Sequence, residues 1–137
     1  MDPGSVSDAD SVSEAPEEEF REIEIKDLNL LRIVGFDGST PGGLRLHPDG
    51  IHVIYSLGIK LIVVNWNTGA QRFLEGHTNN VTYIDVSRSG KYVASGQMNY
   101  MVFKAFVCLW DFASGVLLVK YDTHKVRVAS VIFSSCE

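Results

Sequence analysis

The sequence predicts an all-β fold built from repeated four-stranded antiparallel units. Between residues 43 and 122, short apolar segments alternate with turn signals at a spacing of about ten residues. A Gly-His pair ending at His77 precedes a Trp-Asp pair beginning at Trp110, and a similar pattern restarts at His124, 47 residues after His77. With 45% hydrophobic and 10% aromatic residues, the chain has the composition of a folded protein.

This repeat has the period and composition of one blade of a WD-repeat β-propeller. A propeller closes its ring with roughly 4–8 blades. We therefore expect residues 22–137 to form an incomplete piece of a propeller, with two blades and the first strand of a third. We also expect the chain to be truncated within that third blade. The rest of its own propeller, absent from this sequence, is then one of its expected partners.

The first residues differ in character from the remainder of the chain. Residues 1–24 hold nine acidic groups and one arginine, whereas the rest holds 8 acidic and 11 basic side chains. A segment with so few apolar side chains cannot offset the entropy cost of becoming ordered. We therefore expect residues 1–21 to form an acidic disordered tail. A solvated leader is the simpler interpretation of this tail, and an interaction segment is the alternative.

The later elements follow from local patterns. Ile23 and Ile25 are two residues apart, which is typical of a strand, and a strand at this place is of the type that closes a propeller ring. The first blade has a turn at Gly50 but lacks the Trp-Asp pair. The expected boundaries are the closing-type strand at about 22–36, blade one at about 43–75, blade two at about 76–122 and the start of blade three at 123–137.

The second blade is longer than the first. Gly90 follows Gly50 by 40 residues, but Gly115 follows Gly69 by 46 residues. Six extra residues must therefore lie between the second and third strands of blade two, within residues 97–106. We expect this insertion to stand beside the connection between the two blades, because both emerge at the same end of a four-stranded meander.

Residues 31–112 resemble the amino-terminal blades of the cilia- and flagella-associated WD-repeat proteins of doublet microtubules. The residues that carry the resemblance include Ser87-Arg88-Ser89-Gly90, Ser95-Gly96-Gln97, Met101-x-Phe103-Lys104-Ala105 and Leu109-Trp110-Asp111. The resemblance implies a non-enzymatic structural or scaffold protein of motile cilia and flagella. Such a protein would lie in the axoneme, the cytoskeleton of the cilium, and would bind tubulin and neighbouring axonemal proteins. The alternative is a scaffold of another complex, such as the substrate receptor of a ubiquitin ligase.

The same resemblance implies a buried hydrogen-bond network. In WD blades a His, a Ser or Thr, an Asp and a Trp link neighbouring strands. The matching residues here are His77, Ser95 and Trp110, and the spacing puts Asn99 in place of the Asp. An Asn forfeits the charge-assisted bond to the histidine, so we expect a weakened network with a scaffold role.

The insertion contains the candidate binding residues. Tyr100, Met101, Phe103, Lys104 and Phe106 make up half of residues 97–106, and they include only one charge. An exposed patch of aromatic and Met side chains is typical of a protein–protein interface. The other interpretation, a hairpin packed back on its own blade, is equally compatible with the sequence.

Other functional classes find little support. The basic residues are scattered, which disfavours nucleic acid as a partner, and apolar runs such as residues 61–64 are far too short to cross a membrane. No glycine elbow surrounds any serine, which argues against a serine hydrolase. We interpret His47 and His52 as surface or turn-capping residues and not as metal ligands. No metal and no other cofactor is expected.

Overall fold

The computed structural model describes residues 1, 3–4, 29–36, 38–100 and 103–136. Nearly all of the predicted acidic tail, the first part of the predicted closing-type strand and Met101 lie outside these residues. The described part of the chain is all-β. It contains no helix long and apolar enough to cross a membrane.

Eight strands form two antiparallel sheets, each a meander in which consecutive strands pair. The first sheet consists of β1 (Leu44–Leu46), β2 (His52–Leu57), β3 (Lys60–Asn65) and β4 (Gln71–Leu74). The second consists of β5 (Val81–Val86), β6 (Tyr92–Gln97), β7 (Lys104–Asp111) and β8 (Leu117–Lys125). The two sheets are the two predicted four-stranded units.

The turn between the third and fourth strands is built in the same way in both sheets. In the first sheet the side-chain oxygen of Asn65 accepts the backbone N–H of Thr68 at 3.1 Å, and Gly69 follows with φ of 70°. In the second sheet Asp111 accepts the N–H of Ser114 at 2.9 Å, and Gly115 has φ of 72°. A short side chain that caps the turn and a glycine at positive φ form this connection in both sheets.

The hydrophobic core lies where the two sheets meet. Its buried members come from both sheets: Ile54, Leu61, Val63, Leu74, Val81, Ile84, Val93, Cys108, Trp110 and Phe112. The sheets are also joined by backbone bonds, because the N–H of Ile84 reaches the carbonyl of Gly42 and that of Val81 reaches the carbonyl of Gly58. Each sheet therefore buries one face against the other, which is how blades pack.

The insertion changes the second sheet in a way that the repeat spacing did not predict. Strand β7 starts at Lys104 and not at Val107, and β8 continues to Lys125, so that Lys104 pairs with Lys125 and Ala105 pairs with His124. His124 therefore lies in the fourth strand and does not open a new unit as His77 does. The extra residues at the start of β7 pair with the backbone at the end of β8. The β7–β8 ladder therefore continues where a turn into the next unit was expected.

Two predicted strands have no counterpart in the described residues. In the segment 29–36, the backbone N–H and carbonyl of Ile33 bond to the side-chain amide of Gln71 and not to another strand. The segment 128–133 is extended along the second sheet without forming a strand. Val128 in this segment is buried, and its carbonyl accepts the hydroxyl of Thr82 at 2.6 Å. Side chains bond the backbone of both segments, and β6 also holds the second one, because the N–H of Val128 donates to the backbone carbonyl of Gln97 at 3.1 Å.

Candidate functional site

A buried histidine links the connection between the two sheets to β6, an inner strand of the second sheet. His77 lies in the connection between β4 and β5, and its ring nitrogens face two side chains of β6. Nε2 is 2.5 Å from the hydroxyl of Ser95, and Nδ1 is 2.9 Å from Oε1 of Gln97. The backbone N–H of Thr78 donates to the same Gln97 oxygen at 3.2 Å. All three side chains of this network are buried.

The hydrogen bonds fix where the protons are. The N–H of Thr78 can only donate, so the atom of Gln97 that it contacts is the amide oxygen. His77 must therefore carry its proton on Nδ1 to donate to that oxygen, and its bare Nε2 accepts the hydroxyl proton of Ser95. Every polar atom of the imidazole is thus satisfied while the ring stays neutral.

Burial keeps His77 in this neutral form. Desolvation lowers the pKa of His77 to about 4, with the positive charge of Lys120 acting in the same direction and the bond to Gln97 opposing it. A neutral imidazole with both nitrogens occupied serves as a hydrogen-bonded link. The network is therefore a structural device that ties the connection before β5 to the middle of β6.

The structure brings only part of the predicted network together. Asn99 is not one of the partners of His77: its side chain bonds instead to Asn79 at 3.2 Å and to the carbonyl of Lys104 at 3.2 Å. Trp110 packs against His77 with ring centroids 5.4 Å apart. Its indole N–H, however, is buried and has no hydrogen-bond partner within the described residues. Gln97, which the spacing did not select, occupies the place expected for Asn99.

Gln97 could have been found from the strand pattern. Residues two apart on a strand point to the same face, so Gln97 shares the face of Ser95 as long as β6 continues to residue 97. Counting to Asn99 assumes a normal loop after β6, and the insertion removes that assumption. A hydroxyl at Ser95 and an amide at Gln97, two residues apart on one strand, therefore indicate the hydrogen-bond partners of His77.

The loop between β6 and β7 and the adjoining open end of the β7–β8 hairpin present the candidate binding residues. Tyr100 and Phe103 are 62% and 64% exposed, whereas Phe106 is partly buried against the core. Lys104 is exposed and pairs with Asp122 across the hairpin at 2.6 Å. Of the predicted group, Tyr100, Phe103 and Lys104 are exposed at this end of the sheet. Phe106 packs against the core, and Met101 lies outside the described residues.

The loop before β7 is attached to the connection between the sheets, as the topology predicts. The N–H of Met98 donates to the carbonyl of Asn80 at 3.0 Å. Val126 closes the loop from the other side: its carbonyl accepts the N–H of Asn99 and its N–H donates to Phe103. Val126 has φ of 67°, an uncommon value for a β-branched residue, so these bonds hold the backbone in an unfavourable conformation.

A second cluster of polar side chains lies at the turn after β1. The Nδ1 atoms of His47 and His52 are 2.9 Å and 2.7 Å from the same carboxylate oxygen of Asp49. His47 is buried, and its ring stacks on Phe112 of the other sheet at 3.7 Å between centroids. Its Nε2 lies 2.8 Å from the carbonyl of Gly90. The two histidines that the sequence separated by five residues thus converge on one carboxylate.

Comparison with known proteins agrees with this architecture. No protein-family model matches the chain. It is 43% identical over 113 residues to cilia- and flagella-associated protein 52 of Homo sapiens, and 40% identical over 111 residues to the protein of that name in Chlamydomonas reinhardtii. It is also 35% identical over 106 residues to WD repeat-containing protein 90 of Xenopus tropicalis. The chain belongs to the WD-repeat family.

The alignments cover most of this WD-repeat chain but little of its relatives. They include 82% and 80% of the chain for the first two relatives and 77% for the third. The chain spans 18% of the length of the first two and 6% of the third. Its two sheets are therefore two blades of an incomplete propeller. The similarity to relatives that are cilia- and flagella-associated supports a location in the cilium or flagellum.

Proposed function

We propose that the chain is part of a non-enzymatic structural protein of motile cilia and flagella that binds tubulin and neighbouring proteins inside the axonemal doublet microtubule. The observation that carries the proposal is the similarity to cilia- and flagella-associated protein 52 over at least 80% of the chain in each of the two relatives. The propeller supplies the scaffold, and the loops at the ends of its strands supply the contacts.

The histidine network supports a role without catalysis. Ser95 donates to His77 as a nucleophile would, but Ser95 is fully buried, so no substrate reaches its hydroxyl. The third position of the network is the neutral amide of Gln97, which cannot stabilise an imidazolium as a carboxylate does. The same residues that could form a catalytic group therefore hold the blade together.

The β6–β7 loop, at the open end of the β7–β8 hairpin, is the proposed contact with partners. Tyr100 and Phe103 each expose more than half of a large aromatic side chain. Aromatic anchors surrounded by polar groups contribute much of the binding energy at protein interfaces. Lys104 and Asp122 supply such a polar surround at the base of the loop.

The outer face of the second sheet is proposed to pack against a further blade of the same propeller. Val119 and Tyr121 of β8, which pair with Leu109 and Val107, are exposed there. A cleft of about 230 Å³ on the same sheet is lined by Ala94, Val107, Leu109, Tyr121, Val131, Ile132 and Phe133. An apolar sheet face of this kind resembles the face that the first sheet buries against the second one.

The proposal is tested by location and by binding. Tagged full-length protein is expected in the axoneme of flagellated cells and in the pellet with doublet microtubules. Replacing Tyr100 and Phe103 together by Ala should reduce co-sedimentation at least about tenfold, because both aromatic anchors are removed.

Trp66→Ala is the matched control. Trp66 is 76% exposed, but it lies in the β3–β4 turn at the opposite end of the strands, so this variant should sediment like the unchanged protein. Unchanged binding of the double variant would disprove the role of the hairpin. Absence from the axoneme with recovery of ubiquitin-ligase subunits would instead favour the alternative, a substrate receptor.

A further inference from the structure

We propose that His47, Asp49 and His52 form a binding site for a divalent transition-metal ion, with Zn²⁺ as the preferred occupant. One ring nitrogen from each histidine and one carboxylate oxygen all lie within 4.8 Å of one another. Two imidazole nitrogens with one carboxylate oxygen form a donor set that binds zinc in proteins and leaves a fourth position for water.

The proton positions around His47 support a cation in this cluster. Nε2 of His47 lies 2.8 Å from the carbonyl oxygen of Gly90, which can only accept, so Nε2 carries a proton. In the neutral ring, Nδ1 is then bare: it accepts the backbone N–H of Asp49 at 3.3 Å and also lies 2.9 Å from a carboxylate oxygen of Asp49. Two acceptors at this distance repel each other. A cation bound by both atoms turns that repulsion into attraction.

The geometry is close to that of a zinc site. Tetrahedral bonds of about 2.0–2.2 Å place the ligand atoms roughly 3.3 Å apart. The carboxylate oxygen of Asp49 is 2.9 Å and 2.7 Å from the two nitrogens, so an ion requires these atoms to separate by a few tenths of an ångström. Asp49 and His52 are partly exposed, which gives an ion and its water a route to the site.

The second blade shows that the turn does not need these side chains. Its equivalent turn carries Ser87, Ser89 and Tyr92, none of which supplies an imidazole or a carboxylate. The backbone bond that closes the turn is nevertheless the same: the N–H of His47 donates to His52, and that of Ser87 donates to Tyr92, both at 2.9 Å. The two histidines are therefore surplus to the folding of the turn.

An ion at this site would strengthen the contact between the blades. His47 belongs to the first blade, but it stacks on Phe112 and bonds to Gly90, both in the second. Fixing the ring of His47 by coordination therefore fixes the contact of this turn with the neighbouring blade.

The experiment is a titration of the complete chain with Zn²⁺ after treatment with a chelator and its removal. A Cys136→Ser background removes an exposed thiol that could bind zinc by itself. Calorimetry should show one ion per chain, and Zn²⁺ should raise the thermal unfolding midpoint in a way that a chelator reverses. His52→Ala, which removes one ligand, should weaken zinc binding by about 10- to 100-fold or more.

Two further variants separate coordination from folding. Asp49→Asn removes the carboxylate but keeps a side chain that caps a turn, as Asn65 does in the same blade, so it should fold and lose zinc affinity. His124→Ala removes an exposed histidine outside the cluster and should leave binding unchanged. The proposal is overturned if Zn²⁺ neither binds nor raises the unfolding midpoint, or if His52→Ala binds it as tightly as the parent. A midpoint that depends on pH alone would show a proton as the occupant and would also overturn it.

Discussion

Val128 lies directly over Gly96, so that a methyl group at position 96 would come within 2.4 Å of Cγ1 of Val128. Gly96 is the last residue but one of β6, and Val128 belongs to the segment that passes along the second sheet after β8. The absence of a side chain at residue 96 is therefore what allows this segment to pack closely. The glycine of the Ser95-Gly96 pair is therefore explained by packing and not by a turn.

Gly96→Ala should destabilise the chain by about 1–3 kcal/mol, the usual cost of overpacking a well-packed interior. Urea denaturation measures the loss. Val128→Ala relieves part of the clash, so the double variant should lose less stability than the sum of the two single variants. Additive losses would show that Gly96 and Val128 do not contact each other in solution.

Gln97→Leu should cost about 2 kcal/mol or more of unfolding free energy. The change leaves the buried Nδ1–H of His77 and the part-buried N–H of Thr78 without an acceptor. Asn99→Ala should cost only about 0.5–1 kcal/mol, because the bonds of Asn99 lie near the surface. A larger loss of unfolding free energy for Asn99→Ala than for Gln97→Leu would show that Asn99, as the repeat spacing predicts, is the partner of His77.

Stability should fall as the pH drops from about 6.5 to 4. Burial lowers the pKa of His77 to about 4, whereas an unfolded histidine has a pKa near 6.5. The unfolded state therefore binds a proton first, and the contribution of neutral His77, about 3 kcal/mol, is complete above pH 6.5 and lost toward pH 4. His77→Gln removes the titrating group, so the unfolding free energy of this variant should depend less on pH in that window. Equal pH slopes for the two proteins would contradict the assignment.

The two cysteines should react very differently with a thiol reagent. Cys108 is buried, and its burial raises the pKa of the thiol to about 11, so little reactive thiolate forms at pH 8. Cys136 is exposed. One thiol per chain should be labelled in the native protein and two in denaturant, counted by mass spectrometry. In Cys136→Ser, rapid native labelling would show that the sheet opens at Cys108.

The sequence was sufficient to predict the four-stranded order and the short turns of the two sheets because their signals are local. Alternating apolar residues mark the strands, and the short turns end at glycines such as Gly69 and Gly115. The insertion could be placed only approximately. Its effect depends on pairing between Lys104 and Lys125, which are 21 residues apart, and no local pattern specifies that register.

The same limit explains the parts of the site that the spacing misplaced. Asn99 was selected by a count that assumes a normal blade, and His124 was selected because it repeats His77 at the blade period. Both assignments failed in the structure because the longer hairpin shifted the chain after residue 97. The convergence of His47 and His52 on Asp49 depended on the shape of a turn, which the residue types alone do not reveal.

The extension of β7 and β8 also sets the side from which a partner would approach the second blade. Residues 104–106 extend β7 beyond its pairing with β6, which at about 3.3 Å per residue carries the open end of the β7–β8 hairpin roughly 10 Å further. Strand β5 lies at the opposite edge of this sheet, where the N–H of Ile84 bonds to Gly42 of the first blade. A protein held by Tyr100 and Phe103 would therefore leave the contact between the two blades undisturbed.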